Sequence, residues 1–136
     1  MQVLIIDGQG GGIGKALVTQ IKAAKLNVDL MGVGTNAMAT SALIKAGAEA
    51  CATGENAVIF NAARADIIMG PLGIIGANAL MGEITPAMAA AVSGSEAMKL
   101  LLPTQRCNIR ISGYRSKPLA AQVKDAVEEL RSLLEA

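Results

Sequence analysis

The run Asp7-Gly8-Gln9-Gly10-Gly11-Gly12-Ile13-Gly14-Lys15 sets five glycines directly after the apolar stretch Val3-Leu4-Ile5-Ile6 and directly before an amphipathic pattern. Glycines between a strand and a helix let the backbone approach an anion, and the free N–H groups of the helix's first turn then point at it. Gly8, Gln9, Gly10, Gly11, Gly12, Ile13, Gly14 and Lys15 are therefore candidate contacts for a phosphate-bearing small molecule. Other turn-forming groups follow later apolar runs: Gly34-Thr35-Asn36, Glu55-Asn56 and Gly70-Pro71. In a parallel sheet the strand exits share one edge, so these segments are expected to gather beside the glycine loop in a single crevice. The carboxylates of Asp7, Glu55 and Glu83 are the candidates for acid–base chemistry, Asp7 first because partial burial at a strand end shifts a pKa. Each has a plainer role as well. Asp7 can brace its own turn through backbone N–H groups, and Gly, Asn and Thr are what turns require in any case.

The spacing narrows the choice of loop. A P-loop does not fit: Gly14-Lys15 has the right ending, yet Gln9 stands where the leading glycine belongs and Ala16 replaces the magnesium-binding hydroxyl. Aligned on its glycines, Gly8-x-x-x-Gly12-x-Gly14 resembles the cofactor loop of short-chain dehydrogenases. That resemblance implies Gly8 for the tight turn, Gly12 for the approach of a pyrophosphate and Gly14 for helix packing. Asp7 departs from it, standing where that family has threonine, and a carboxylate beside a phosphate repels it unless protonated or screened. The tyrosine–lysine catalytic pair is missing, because the one tyrosine, Tyr114, has Pro118 four positions on. An acid about twenty residues past the loop, which would hold ribose hydroxyls, is missing too. Gly32 and Gly34 stand there, with Thr35 and Asn36 as the polar substitutes.

The elements that must position these residues alternate strand and helix. Residues 3–6 read as a strand buried on both faces, since nothing polar interrupts them. A helix follows, with Ile13, Leu17, Ile21 and Ala24 on one side and Lys15, Gln20, Lys22 and Lys25 on the other. Residues 28–33 predict a second strand, then a helix capped by Thr35 or Asn36 and ended at Ala46-Gly47. A short strand at 48–52, a helix from Glu55 through Arg64 and a strand at 67–69 come next. Residues 77–82 fit helix or loop equally, and Thr85-Pro86 marks another helix start. A strand at 99–102, an alternating half-exposed edge strand at 107–112 and a last helix from Pro118 complete the chain. The stripe Leu119, Val123, Val127, Leu130 and Leu134 is that helix's predicted buried face. The expected architecture is one α/β domain over residues 1–136. It is a three-layer α/β/α sandwich on a mainly parallel sheet, Rossmann-like or flavodoxin-like, with an antiparallel edge strand as an option.

Composition limits the partners. Hydrophobic residues make up 52% and aromatics 1%, so the core must be built from Ile, Leu, Val, Ala and Met. Twelve basic and eleven acidic side chains leave a net charge of +1, which gives no field favouring nucleic acid or an anionic membrane. The longest uncharged run, residues 67–82, holds Pro71 and four glycines and is too broken to span a bilayer. With no histidine and only Cys51 and Cys107, histidine triads and cysteine/histidine zinc sites are excluded and no metal-site residues are assigned, a magnesium ion between Asp7 and a phosphate staying open. These features, with no targeting segment at the start, predict a cytoplasmic protein, in which the two cysteines are not expected to pair. The small apolar residues between 69 and 88 predict a homodimer or higher homo-oligomer.

Taken together, the glycine loop, Gly34-Thr35-Asn36-Ala37, Ala52-Thr53-Gly54-Glu55-Asn56, Gly70-Pro71-Leu72-Gly73-Ile74-Ile75, Gly82-Glu83-Ile84-Thr85-Pro86 and Arg106-Cys107-Asn108 resemble a group of short bacterial proteins, the domain of unknown function 3842 family. The resemblance spans nearly the whole chain and brings no established activity with it. The functional expectation is a binder of a nucleotide or dinucleotide, NAD(P) included, with the reaction and catalytic residues unassigned. The alternatives are a non-enzymatic ligand sensor, and an oligomeric interaction module in which the glycine loop is only structural.

Overall fold

Val3, Leu4, Ile5 and Ile6 have no polar face to offer solvent. The computed structural model, which describes residues 1–103 and 108–136, buries all four completely at the centre of a five-stranded sheet. Strand β1 (Gln2–Asp7) is flanked on one side by β2 (Asp29–Gly34) and then β3 (Ala50–Thr53). On its other side lie β4 (Ile67–Pro71) and then β5 (Met98–Leu102). Every pairing is parallel. The order β3-β2-β1-β4-β5 is, of the two arrangements expected, the Rossmann one. The chain winds outward from β1 to β3, crosses back to β4, and reverses direction at the β1–β4 pair.

Alternation along β1 decides which helix meets which residue. Val3 and Ile5 face one apolar layer, built with Leu17, Val18 and Ile21 of α1 (Gly12–Ala23), Leu43 of α2 (Ala37–Ala46) and Val123, Val127 and Leu130 of α5 (Leu119–Glu135). Leu4 and Ile6 face the other, with Val58 of α3 (Glu55–Ala62), Met88 and Val92 of α4 (Pro86–Ser93) and Ile74, Leu80 and Ile84 from the connection between β4 and α4. The caps follow from residue type. Asn36 accepts from the Ala39 N–H at 2.9 Å at the start of α2, and Thr85 accepts from the Met88 N–H at 3.1 Å at the start of α4.

Several sequence expectations are corrected. The third strand lies at Ala50–Thr53, shifted toward the register in which Met31 pairs with Ala50 and Gly34 with Thr53. Helix α3 ends at Ala62, and the Arg64 guanidinium beyond it stacks on the Phe60 ring, 4.0 Å from its centroid. Residues 72–75 form a short 3-10 helix, and residues 77–83 are turns. For the expected edge strand, Arg106 and Cys107 lie outside the described residues, and residues 108–112 form no strand. Asn108 (φ 56°) and Gly113 (φ 81°) are left-handed, which breaks extended backbone on both sides. Leu119 is 41% exposed, so the buried stripe of α5 begins at Val123.

Close approach, not a turn, requires glycine at position 70, since a Cβ there would run into the Ile6 carbonyl oxygen on the neighbouring strand. Gly70→Ala is expected to lower stability by about 1–3 kcal/mol in denaturant unfolding, the usual cost of overpacking. An unchanged midpoint would contradict this packing of β1 on β4.

Candidate functional site

Asp7 follows Val3 and Ile5 on the same face of β1, so its side chain is directed at the first turn of α1. The carboxylate is buried, accepting from the Gly8 N–H at 2.7 Å through Oδ1 and from the Gly14 N–H at 2.6 Å through Oδ2. A side chain at Gly14 would press on Asp7 and Leu43, so glycine there is what lets helix and carboxylate meet. Burial pushes the Asp7 pKa above its ordinary 3.8, against the backbone N–H groups of Gly14, Gly8 and Ile13, while the Glu83 charge pushes it further up. The turn between strand and helix is made by left-handed backbone at Gln9 (φ 50°) and Gly11 (φ 75°), closed by the Gly11 N–H on the Gly8 carbonyl at 2.9 Å. The tight conformation therefore falls on Gly11 and Gln9. Gly8 is small for a different reason: its missing side chain leaves room for Thr35, Leu80 and Glu83.

Glu83 reaches the loop from the β4–α4 connection. Its Oε1 accepts from the Gln9 N–H at 2.9 Å, the Thr35 hydroxyl at 2.5 Å and the Asn36 amide at 2.9 Å. These donors hold the Glu83 carboxyl below its ordinary 4.5, Thr35 contributing most and then the Gln9 N–H. Left-handed backbone at Asn78 (φ 66°), Leu80 (φ 56°) and Met81 (φ 57°) aims the side chain. Buried Leu80 and Ile84, and the Asn78 N–H on the Ile84 carbonyl at 2.7 Å, hold the segment against that strain.

A cavity of about 540 Å³ opens at the carboxyl ends of β1, β4 and β5, on the face covered by α1 and α5. Asp7, residues 8–13 and Pro71 form one side of it, and Leu80, Pro103, Ser116, Leu119 and Gln122 the other. It lies at the β1–β4 reversal, where open parallel sheets bind ligands. Among the described residues the Gly10 and Gly12 N–H groups in its wall have no acceptor. Past Pro103 and Ser116 it adjoins a second depression of about 340 Å³ that includes Arg110 and Tyr114. A further depression of about 670 Å³ at the other edge of the sheet holds only Asp66 and Glu96 as ionisable groups, and Asp66 already accepts from the Gln2 N–H.

The structure brings only part of the expected crevice together. Asp7, Gly8, Gln9, Gly10, Gly11, Gly12, Ile13 and Pro71 line the cavity, whereas Lys15, one turn into α1, is exposed outside it. Gly14 is buried under Asp7, Gly34 lies beneath Thr40 and Gly70 beneath Ile6. Thr35 and Asn36 both bond Glu83, Asn36 alone caps α2, and neither is among the residues that line the cavity. Glu55 accepts from the Thr85 hydroxyl at 2.6 Å, joining α3 to α4, and Asn56 is exposed beside it. Sequence reasoning does not single out Leu80, Pro103, Ser116 or Gln122. Gln122, a polar residue three after Leu119 on the cavity side of α5, was the available signal. Its Nε2 donates to the Lys117 carbonyl at 2.9 Å, and its buried Oε1 has no partner among the described residues. Among the described residues no three acidic, cysteine or histidine side chains cluster as a metal site, and no helix is long and apolar enough to cross a membrane.

The chain belongs to the family described as Domain of unknown function (DUF3842), which matches residues 2–135. A search of curated proteins gives no match. Among solved structures the chain is similar to a dodecameric FMN-dependent Ubix-like decarboxylase from Escherichia coli O157:H7. The two are 18% identical, with a TM-score of 0.46 over 96% of this chain and 76% of that one.

The two carboxyls titrate with opposite consequences. Glu83, with its pKa lowered, stabilises the fold above its ordinary 4.5, and that contribution is lost as pH falls through the lowered value. Asp7, with its pKa raised, favours the fold most below 3.8 and progressively less as pH rises through the raised value. The stability gap between the unmodified protein and Glu83→Gln is therefore expected to be full at neutral pH and to shrink on acidification. A gap constant across that range in thermal unfolding would contradict the assignment of Glu83 as an ionised brace.

Proposed function

We propose that this chain binds a phosphate-bearing organic molecule, a nucleotide or dinucleotide, NAD(P) included, at the carboxyl edge of the sheet between β1 and β4. The observation that carries the reading is the pair of loop N–H groups, Gly10 and Gly12, left without acceptors among the described residues in the wall of a ligand-sized cavity at the amino end of α1. An anion there gains from the N–H groups and from the helix dipole. Asp7 opposes it, and its bonds from the Gly8 and Gly14 N–H groups reduce the repulsion. The cavity volume is in the range that holds small organic ligands, and the adjoining depression adds length and the Arg110 cation.

A specific observation favours a second reading. Asp7 and Glu83 already accept from the Gly8, Gln9 and Gly14 N–H groups, so the loop is a finished structural joint even with nothing bound. On that reading the protein acts through self-association. Met38, Ile44, Phe60 and Met81 are large apolar side chains left exposed, and a homo-oligomer belongs to the proposal under either reading.

Native mass spectrometry of freshly purified protein, followed by denaturation and identification of released molecules, separates the two. The proposal predicts a phosphate compound in stoichiometric amount, or a rise in melting temperature with some member of a nucleotide panel. A clean ligand-free oligomer unmoved by the panel favours the structural joint. A side chain at Gly12 would meet open space, so Gly12→Val is expected to fold normally and lose roughly tenfold or more in ligand affinity. Light scattering is expected to show at least two copies per particle, and a monomer at working concentration would remove the oligomer from the proposal.

A further inference from the structure

We propose that Glu83 holds the ribose hydroxyls of the bound molecule through Oε2, which makes the ligand a ribonucleotide lying across the crest of the glycine loop. The inference rests on the phosphate-binding reading and names its ligand class. In dinucleotide-binding sheets the ribose diol is held by an acid at the end of the second strand. Here β2 ends in Gly34, followed by Thr35 and Asn36, and offers no carboxylate of its own. The fold supplies one from elsewhere. Glu83, 48 residues further along the chain than Thr35, sets its carboxylate against both residues and against the Gln9 N–H of the glycine loop.

The geometry suits an acceptor of ligand hydroxyls. All three donors converge on Oε1, which fixes the carboxylate, while among the described residues Oε2 bonds to none. Glu83 is partly exposed, and the proposal assigns its second carboxylate oxygen to the ligand. Glu83 itself does not line the cavity, but Gly8 and Gln9 border both, and Gly10 and Gly12, whose N–H groups have no acceptor among the described residues, lie in the same loop. A phosphate on those two groups leaves one half of the ligand in the cavity and brings the ribose of the other half over Glu83. A carboxylate accepts from a vicinal diol with charge-assisted hydrogen bonds, and it repels a phosphate placed on the 2′ oxygen.

Calorimetric titration tests this with inorganic pyrophosphate as the probe of the loop alone, with the four common ribonucleoside diphosphates, and with their 2′-deoxy counterparts. The proposal expects at least one ribonucleotide to bind about tenfold or more tightly than its deoxy form, and Glu83→Gln to shrink that ratio severalfold. A second measurement needs no variant: adenosine 2′,5′-bisphosphate is expected to bind more weakly than AMP to the unmodified protein. Equal affinity for ribo and deoxy forms, a preference that survives in Glu83→Gln, or pyrophosphate binding without any ribonucleotide binding would overturn the ribose assignment and leave the phosphate site standing. Binding of none of these probes would remove the phosphate reading and this inference with it.

Discussion

The carboxylate of Asp7, buried between the end of β1 and the first turn of α1, is the contact on which the rest of the site depends. A buried anion is costly unless hydrogen bonds compensate it, and the first turn of a helix has N–H groups in need of acceptors. Joining the Gly8 and Gly14 N–H groups through Asp7 meets both requirements and fixes the loop from both ends. Gly14 is small so that the carboxylate can reach it. The bend between them then settles on Gln9 and Gly11.

Glu83 repeats the device one residue further on. It ties the loop to the end of β2 through Thr35 and Asn36, and to the β4–α4 connection through its own strained segment. Three strand exits are thereby locked together by two carboxylates, with electrostatic consequences that differ. Glu83 is held ionised by its donors, whereas Asp7 is pushed toward its neutral form by burial and by Glu83. What the two leave open are the Gly10 and Gly12 N–H groups. On the proposed reading, these two exposed N–H groups at the wall of the cavity, without an acceptor among the described residues, are what distinguishes a ligand site from a mere joint.

Much of the fold is readable from local pattern. Val3 to Ile6 can only be a buried strand, Asn36 and Thr85 announce their helices, and strands separated by helices enforce parallel pairing. The glycine loop and Asp7 are readable for the same reason, because their contacts are close in sequence. Glu83 is visible as an acid, but its partners lie 74 and 48 residues away at Gln9 and Thr35, and no local pattern encodes that. The turns from 77 to 83 defeat periodicity, since Leu80 and Met81 are left-handed against local preference. Leu119 and Gln122 sit on a helix whose apolar stripe is plain. Only the placement of α5 over the β4 and β5 exits turns that end of it toward a cavity.

The central claim is that Gly10 and Gly12 carry the N–H groups that receive a phosphate, while Gly8 and Gly14 are already engaged by Asp7. The backbone amide spectrum of nitrogen-labelled protein, followed through a titration with pyrophosphate, tests it directly. The account predicts saturable shifts concentrated at Gly10 and Gly12, with Gly8 and Gly14 moving far less. Shifts absent from Gly10 and Gly12, or strongest at another edge of the sheet, would contradict it.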